Sequence, residues 1–155
     1  MKGKKKIVAV SGGFDPVHAG HVRLFNEAKT LGDELVVILN NDHWLRDKKG
    51  AEFMPETERK EVIQAFRAVD RVVLTVHKPG EYLTDKSVVR ELKKLKPHVF
   101  ANGGDRVAGN IPEYAACEKL GIRMAFNVGR GGKVQSSSWL VEKAMKRAPH
   151  YKKKR

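Results

Sequence analysis

The 155 residues, 41% of them hydrophobic, suffice for one domain with a real core, and two independent cores would be small. The net charge of +13 lies mainly in two acid-free ends, at Lys2, Lys4, Lys5 and Lys6 and at Lys146, Arg147, Lys152, Lys153, Lys154 and Arg155, leaving 21 cations against 18 acids between them. The single Cys117 excludes a disulfide framework and a cysteine-rich zinc site, and no apolar stretch approaches the roughly 18 residues of a membrane helix, so cytoplasmic residence is expected.

Ile7 to Val10 reads as a short buried strand, followed by the turn signal Ser11-Gly12-Gly13. Val22, Leu24, Phe25, Ala28 and Leu31 recur at helical spacing. Gly32-Asp33 precedes Leu35 to Leu39, a continuous apolar run typical of a strand covered on both faces. The segment Asn40 to Lys49 is predicted to be a loop. Pro55 and Glu56 open a helix through about Val69, with Val62, Ile63, Phe66 and Val69 on its apolar stripe. Arg71 to Val76 is a β-branched third strand, and Ser87 to Leu95 a helix. Val99 to Ala101 is a fourth strand running into Asn102-Gly103-Gly104-Asp105. Pro112 to Lys119 is a helix stopped by Gly121, and Ile122 to Val128 a fifth strand before Gly129-Arg130-Gly131-Gly132. Ser136-Ser137-Ser138 opens a last helix from Trp139 to Lys146.

This alternation predicts an α/β fold: a Rossmann-like, doubly wound parallel sheet of about five strands with helices on both faces. It forms a single domain over residues 1–155, with short basic tails at about 1–6 and 148–155. Ligands of such sheets bind beyond the carboxyl ends of the strands. The loops after strands one, two, four and five all fall there, which points to one site.

The most informative element is His18-Ala19-Gly20-His21, where the first strand hands over to a helix. Histidines at i and i+3 share a helix face. Free N–H groups and the positive helix end favour an anion, usually phosphate. Imidazoles there donate hydrogen bonds to phosphate oxygens, more strongly if protonated. His43, His77, His98 and His150 have no partner at ligand spacing, and Cys117 reads as a small core residue.

Gly13-Phe14-Asp15-Pro16-Val17-His18-Ala19-Gly20-His21 resembles the signature of the cytidylyltransferase-like nucleotidyltransferases. Leu31-Gly32-Asp33, Asn41-Asp42, Glu58-Arg59, Val69 to Val73, Gly103-Gly104-Asp105 and the serine cluster also look like this family, so the resemblance spans roughly residues 7 to 146. It is nearest to the branches acting on heptose 1-phosphate with ATP and on glycerol 3-phosphate with CTP. Two positions depart from the pattern. Gly13 stands where many members carry a threonine or serine that helps hold phosphate, so that contact falls to backbone or to Ser11. Arg130 to Ser138 keeps the basic and hydroxyl elements of the late motif at altered spacing.

The resemblance implies transfer of a nucleoside monophosphate from CTP or ATP to a small phosphorylated sugar or polyol, with release of pyrophosphate and with Mg²⁺ as cofactor. No dedicated metal cage is visible in the sequence. Members are commonly dimers, so a homodimer is expected. The catalytic set carried over is His18, His21, Lys48, Lys49 and Arg130. Ser11, Gly12, Gly13, Phe14, Asp15, Asn102, Gly103, Asp105, Arg106, Ser136, Ser137 and Ser138 would bind nucleotide, and Asp42 the acceptor. Bland readings stand beside these: Lys48-Lys49 as a solvated charge run, the serines as plain caps, Asp15 as a brace for its turn. Two other functions use the same fold, a nicotinamide- or flavin-type mononucleotide adenylyltransferase and a basic nucleic-acid-binding module. The tails give the chain a route to weak, non-specific nucleic-acid binding.

Overall fold

The apolar runs at Val8–Val10 and Leu35–Leu39 become the centre of one parallel sheet, flanked by strands in the order β3-β2-β1-β4-β5. The strands are β1 (Ile7–Gly12), β2 (Glu34–Leu39), β3 (Arg71–Leu74), β4 (Val99–Gly103) and β5 (Arg123–Val128). The computed structural model describes residues 3–104, 106–129 and 135–152. Among these, the helices are α1 (Ala19–Lys29), α2 (Asp42–Lys49), α3 (Glu56–Gln64), α4 (Val89–Leu95), α5 (Tyr114–Leu120) and α6 (Ser137–Arg147). The expected α/β class and parallel sheet are therefore what the chain forms.

Side chains of a strand alternate between faces, so each strand feeds two cores. Val8, Val10, Leu35, Val37 and Leu39 pack with Phe25, Ala28 and Ile63 from α1 and α3. Ala9, Ile38 and Phe100 pack with Leu92 and Cys117 from α4 and α5 on the other side. Burial on both faces is why β2 reads as an unbroken apolar run rather than an alternating one.

At the amino ends of the strands the chain is laced by short polar ties. Asp33 Oδ2 accepts the Lys6 N–H at 2.8 Å, and Lys6 O accepts the N–H groups of Asp33 and Glu34. A Cβ on Gly32 would stand 2.6 Å from Lys6 O, so only glycine fits that crossing. Asp70 Oδ2 accepts the Leu35 N–H and pairs with Lys29. Leu31-Gly32-Asp33 and Val69-Asp70-Arg71 thus fasten the end of the sheet opposite the strands' carboxyl ends, and carry no information about a ligand.

The segment after β2 differs from expectation. It is helix α2 rather than a loop, capped by Asn41 Oδ1 accepting the Trp44 N–H at 3.1 Å and stopped by Gly50 in the left-handed region. Charged residues at five of its eight positions hide the two that are buried, Trp44 and Leu45. Helix α3 is shorter than expected and leaves Val62 exposed. From Ala65 the chain tightens into i→i+3 turns that bring Phe66 against Phe25, with ring centroids 5.5 Å apart, and Asp70 to Leu35. β3 likewise stops at Leu74, and Val76 is exposed.

Arg59 of α3 is fully buried. Its Nε donates to Met54 O at 2.8 Å, Nη1 to Gly13 O at 2.7 Å and Asn40 O at 2.8 Å, and Nη2 to Asp42 Oδ1 at 2.7 Å. Arg59→Met is expected to lower the unfolding free energy by about 3–5 kcal/mol, because a paired carboxylate and three carbonyls lose their donor together. Urea unfolding checks this; a loss below about 1 kcal/mol contradicts a tethering role.

Candidate functional site

The sheet's order reverses between β1 and β4, and a cleft of about 570 Å³ opens there. β1 contributes Ser11 and Gly12, β4 contributes Asn102 and Gly103, and β5 leads in Val128 and Gly129. α1 adds His18, Gly20 and His21; α2 adds Trp44, Leu45, Lys48 and Lys49; the start of α6 adds Gln135 to Ser138. Arg106 lines it as well, and none of the described lining residues is a carboxylate. The cleft therefore offers donors and positive charge to a polyanion.

The glycine turn is shaped by close packing. Phe14 takes φ 49° and is buried. A Cβ on Gly12 would meet its ring at 2.9 Å. A Cβ on Gly13 would stand 2.8 Å from Leu45 Cδ2, so a threonine or serine there would need α2 to give way. Phe14 meets His21 and Phe25 edge-on, at centroid distances of 4.8 and 5.1 Å, and so backs the histidine with core.

The histidines cap their own helix. His18 Nδ1 accepts the Gly20 N–H at 3.0 Å, and His21 Nδ1 accepts the His18 N–H at 3.2 Å. The rings stack with centroids 3.7 Å apart. Backbone donors expected to face an anion are thus taken up by the imidazoles. An accepting Nδ1 puts the proton of the neutral ring on Nε2, leaving two Nε2–H donors. Burial lowers both pKa values: His18 moves below 6.5, and His21 to about 3, with the neighbouring His18 and Lys49 adding to burial. At neutral pH both are uncharged donors, not imidazolium ions.

The remaining candidates separate into three groups. Lys48 and Lys49, at the carboxyl end of α2, reach the cleft; Lys48 Nζ lies 4.8 Å from the Trp44 ring centroid and Lys49 Nζ 3.5 Å from Asp15 O. Ser137 Oγ donates to Pro16 O at 2.7 Å, docking α6 onto the histidine loop, while the Ser136 side chain at the N-cap makes no capping bond. Gly129 N donates to Glu27 Oε2, and Asn102 Nδ2 to Phe100 O at 3.2 Å, fixing the β5 and β4 ends. Asp15 and Asp42 lie outside the cleft lining. The Asp15 carboxylate accepts the N–H groups of Phe53 and Met54 at 2.6 and 2.7 Å, bracing its loop, and Asp42 is held by Arg59. Asp105 and Arg130 lie outside the described residues.

Three residues that build this site are given no role by the sequence. Trp44 and Leu45 were hidden by their charged neighbours. Arg59 looks in sequence like any cation on a helix; only its adjacency to Glu58 in a resembling segment marked it.

Residues 9–128 match the family described as cytidylyltransferase-like. The chain is 44% identical over 108 residues to the FAD synthase of Pyrococcus horikoshii, covering 68% of each. It is 32% identical over 145 residues to the bifunctional protein HldE of Pelobacter propionicus, covering 92% of this chain but only 28% of that protein. Among solved structures, a lipopolysaccharide core biosynthesis protein from Thermoplasma volcanium is 28% identical with a TM-score of 0.63, covering 79% of this chain and 94% of that one.

The depressed His21 pKa has a signed consequence. The unfolded chain takes up a proton near pH 6.5 that the folded chain refuses until about pH 3, so His21 subtracts stability as the pH falls through that window. Wild type should lose more thermal stability between pH 7 and pH 4 than His21→Gln. Parallel pH profiles for the two proteins would contradict the assignment.

Proposed function

The chain belongs to the cytidylyltransferase-like family of nucleotidyltransferases, and from that premise we propose that it transfers a nucleoside monophosphate from ATP or CTP to a small phosphorylated sugar or polyol. The observation that carries the reading is the stacked pair of neutral histidines, each with an Nε2–H that no described residue accepts, in a cleft without a carboxylate among its described lining residues. An acceptor phosphate oxygen attacks the α-phosphorus, a new P–O–P bond forms, the bond to the β-phosphate oxygen breaks, and pyrophosphate leaves. The attacking phosphate is already anionic near neutral pH, so the step needs no general base.

The work of the protein is alignment and charge stabilisation. His18 and His21 donate to triphosphate oxygens. Lys48 and Lys49 supply mobile point charges, which suits ions that must enter and leave. Arg130, Ser136, Ser137, Ser138 and the start of α6 take the β- and γ-phosphates. Ser11, Gly12, Gly13 and Phe14 shape the turn beneath them. Asn102, Gly103 and Arg106, all in the cleft lining, take the nucleoside side in this reading, a role that the resemblance also gives Asp105. Asp15 and Asp42 act from behind, through the loop and through Arg59. With no carboxylate in the described lining, Mg²⁺ belongs to this reading as part of the metal–triphosphate substrate rather than as a resident ion. A homodimer is part of the same reading, supported by α6, none of whose side chains is buried.

The relatives bear on the substrates. FAD contains an AMP half, so likeness to FAD synthases supports ATP. Likeness to a lipopolysaccharide core biosynthesis protein supports a sugar acceptor. The 44% identity to a FAD synthase supports a second reading, with flavin mononucleotide as acceptor.

Pyrophosphate release should require one nucleotide and one acceptor when ATP and CTP are crossed with glycerol 3-phosphate, sugar 1-phosphates, nicotinamide mononucleotide and flavin mononucleotide. Release with flavin mononucleotide alone selects the second reading, and release with none contradicts the sugar or polyol assignment. His18→Ala and His21→Ala should each reduce turnover by about 10²-fold or more without unfolding the protein. Near-wild-type turnover in both removes the histidines from the mechanism.

A further inference from the structure

Of the polar side chains described in the cleft lining, Asn102 is the most buried, at 3% exposed. It sits at an irregularity in the sheet. Ala101 pairs with Ala125 and Gly103 with Val128, so one residue of β4, Asn102, stands opposite two of β5, Phe126 and Asn127. Asn127 takes φ 51° within this bulge. Asn102 Nδ2 fills the irregular stretch, donating to Phe100 O at 3.2 Å and to Ala125 O at 3.5 Å.

Two carbonyl acceptors fix which end of the amide is the amino group, and so leave Oδ1 as the polar atom without a role. No described residue donates to it. Asn40 Oδ1 also lacks a donor but is sealed inside the protein, whereas Asn102 Oδ1 keeps access to the cleft that its residue lines. Filling the bulge needs only the two N–H bonds. An oxygen beside a cleft, its orientation set by main-chain bonds, is a preorganised acceptor for a donor that arrives with a ligand. The surroundings narrow the kind of ligand. A Cβ on Gly103 would stand 3.2 Å from Leu24 Cδ1 and one on Gly129 3.1 Å from Leu24 Cα, so the ends of β4 and β5 lie directly against α1. Leu24, Ala101 and Val128 line the same cleft, an apolar wall suited to a flat heterocycle rather than to a hydroxylated ring.

We propose that Asn102 reads the nucleobase: Oδ1 accepts from the exocyclic amino group of adenine or cytosine, with the base against the wall of Leu24, Ala101 and Val128. A keto group at the same ring position, as in hypoxanthine or uracil, presents an acceptor to an acceptor and leaves the buried amide oxygen without a donor. One oxygen thereby separates amino bases from keto bases, and does not separate adenine from cytosine. The inference rests on the nucleotidyltransferase reading above and deepens it by naming the atom that selects the base.

Matched nucleotides test this on the unaltered protein, by calorimetric titration without acceptor. ATP is compared with ITP and with purine riboside triphosphate, which carries hydrogen in place of the amino group. CTP is compared with UTP, and ATP with its 2′- and 3′-deoxy forms, while inorganic tripolyphosphate probes the phosphate site alone. ATP and CTP should each bind about tenfold or more tightly than the partners lacking the amino group. Asn102→Thr keeps a hydroxyl donor for the bulge and removes the amide oxygen. In that variant the ratio of ATP to ITP affinity should fall to about one, with tripolyphosphate affinity unchanged; a side chain that only fills the bulge would move all three together or none. Equal binding of amino and keto nucleotides by the wild-type protein overturns the proposal, as does a folded Asn102→Thr that keeps the preference, or a loss confined to the deoxyribose forms. If tripolyphosphate and the nucleotides bind without regard to base, the role of Asn102 falls while the transferase reading stands. If neither the nucleotides nor tripolyphosphate bind, the transferase reading falls and this inference with it.

Discussion

Arg59 donates to Met54 O, Gly13 O, Asn40 O and Asp42 Oδ1 from a fully buried position. One guanidinium thereby fixes the glycine turn after β1, the end of β2, the start of α2 and the segment before α3. A rigid five-donor fork is suited to this, and a lysine point charge is not. Asp42 balances the charge, which is why an acid following the β2 end is needed even though it does not line the cleft. Remove this tether and nothing else described holds Gly13 O against α2. The distance between His18 and His21 on one side of the cleft and Lys48 and Lys49 on the other depends on it.

The histidine pair illustrates a related economy. A helix start leaves N–H groups without partners, and the usual remedy is a serine or aspartate cap. Here two imidazoles do the capping through Nδ1 and keep Nε2–H for a ligand. The same bonds fix the tautomer and ring orientation, and Phe14 closes the space behind His21. Burial holds both rings neutral, and at His21 the neighbouring His18 and Lys49 add to it. In the proposed reaction phosphate meets oriented dipoles at the histidines and full charges at the lysines, which divides orientation from attraction.

Much of this was legible in the sequence because it rests on local pattern. Alternating apolar runs and periodic stripes identify the parallel sheet, and its strand ends place the glycine and histidine loops together. What escaped was set by long-range contact. Helix α2 is mostly charged, and its apolar content, Trp44 and Leu45, makes sense only once Gly13 and Tyr82 are known to lie against it. Asp15 and Asp42, acidic residues near phosphate-binding motifs, read as ligand contacts; the fold spends them on Phe53, Met54 and Arg59. Leu31-Gly32-Asp33 is one of the segments that carry the family resemblance, yet it fastens the far end of the sheet. A motif can be shared by a family because the fold needs it, without any contact to the reacting groups.

The central claim is that His18 and His21 are neutral at pH 7 and offer Nε2–H to phosphate. Nitrogen-15 spectra of the imidazoles, recorded with and without a non-hydrolysable ATP analogue, test it most directly. The account predicts an unprotonated, accepting Nδ1 and a protonated Nε2 in both rings, with the Nε2 resonances moving when the triphosphate binds. Doubly protonated rings in the free protein, or Nε2 signals indifferent to bound triphosphate, would contradict it.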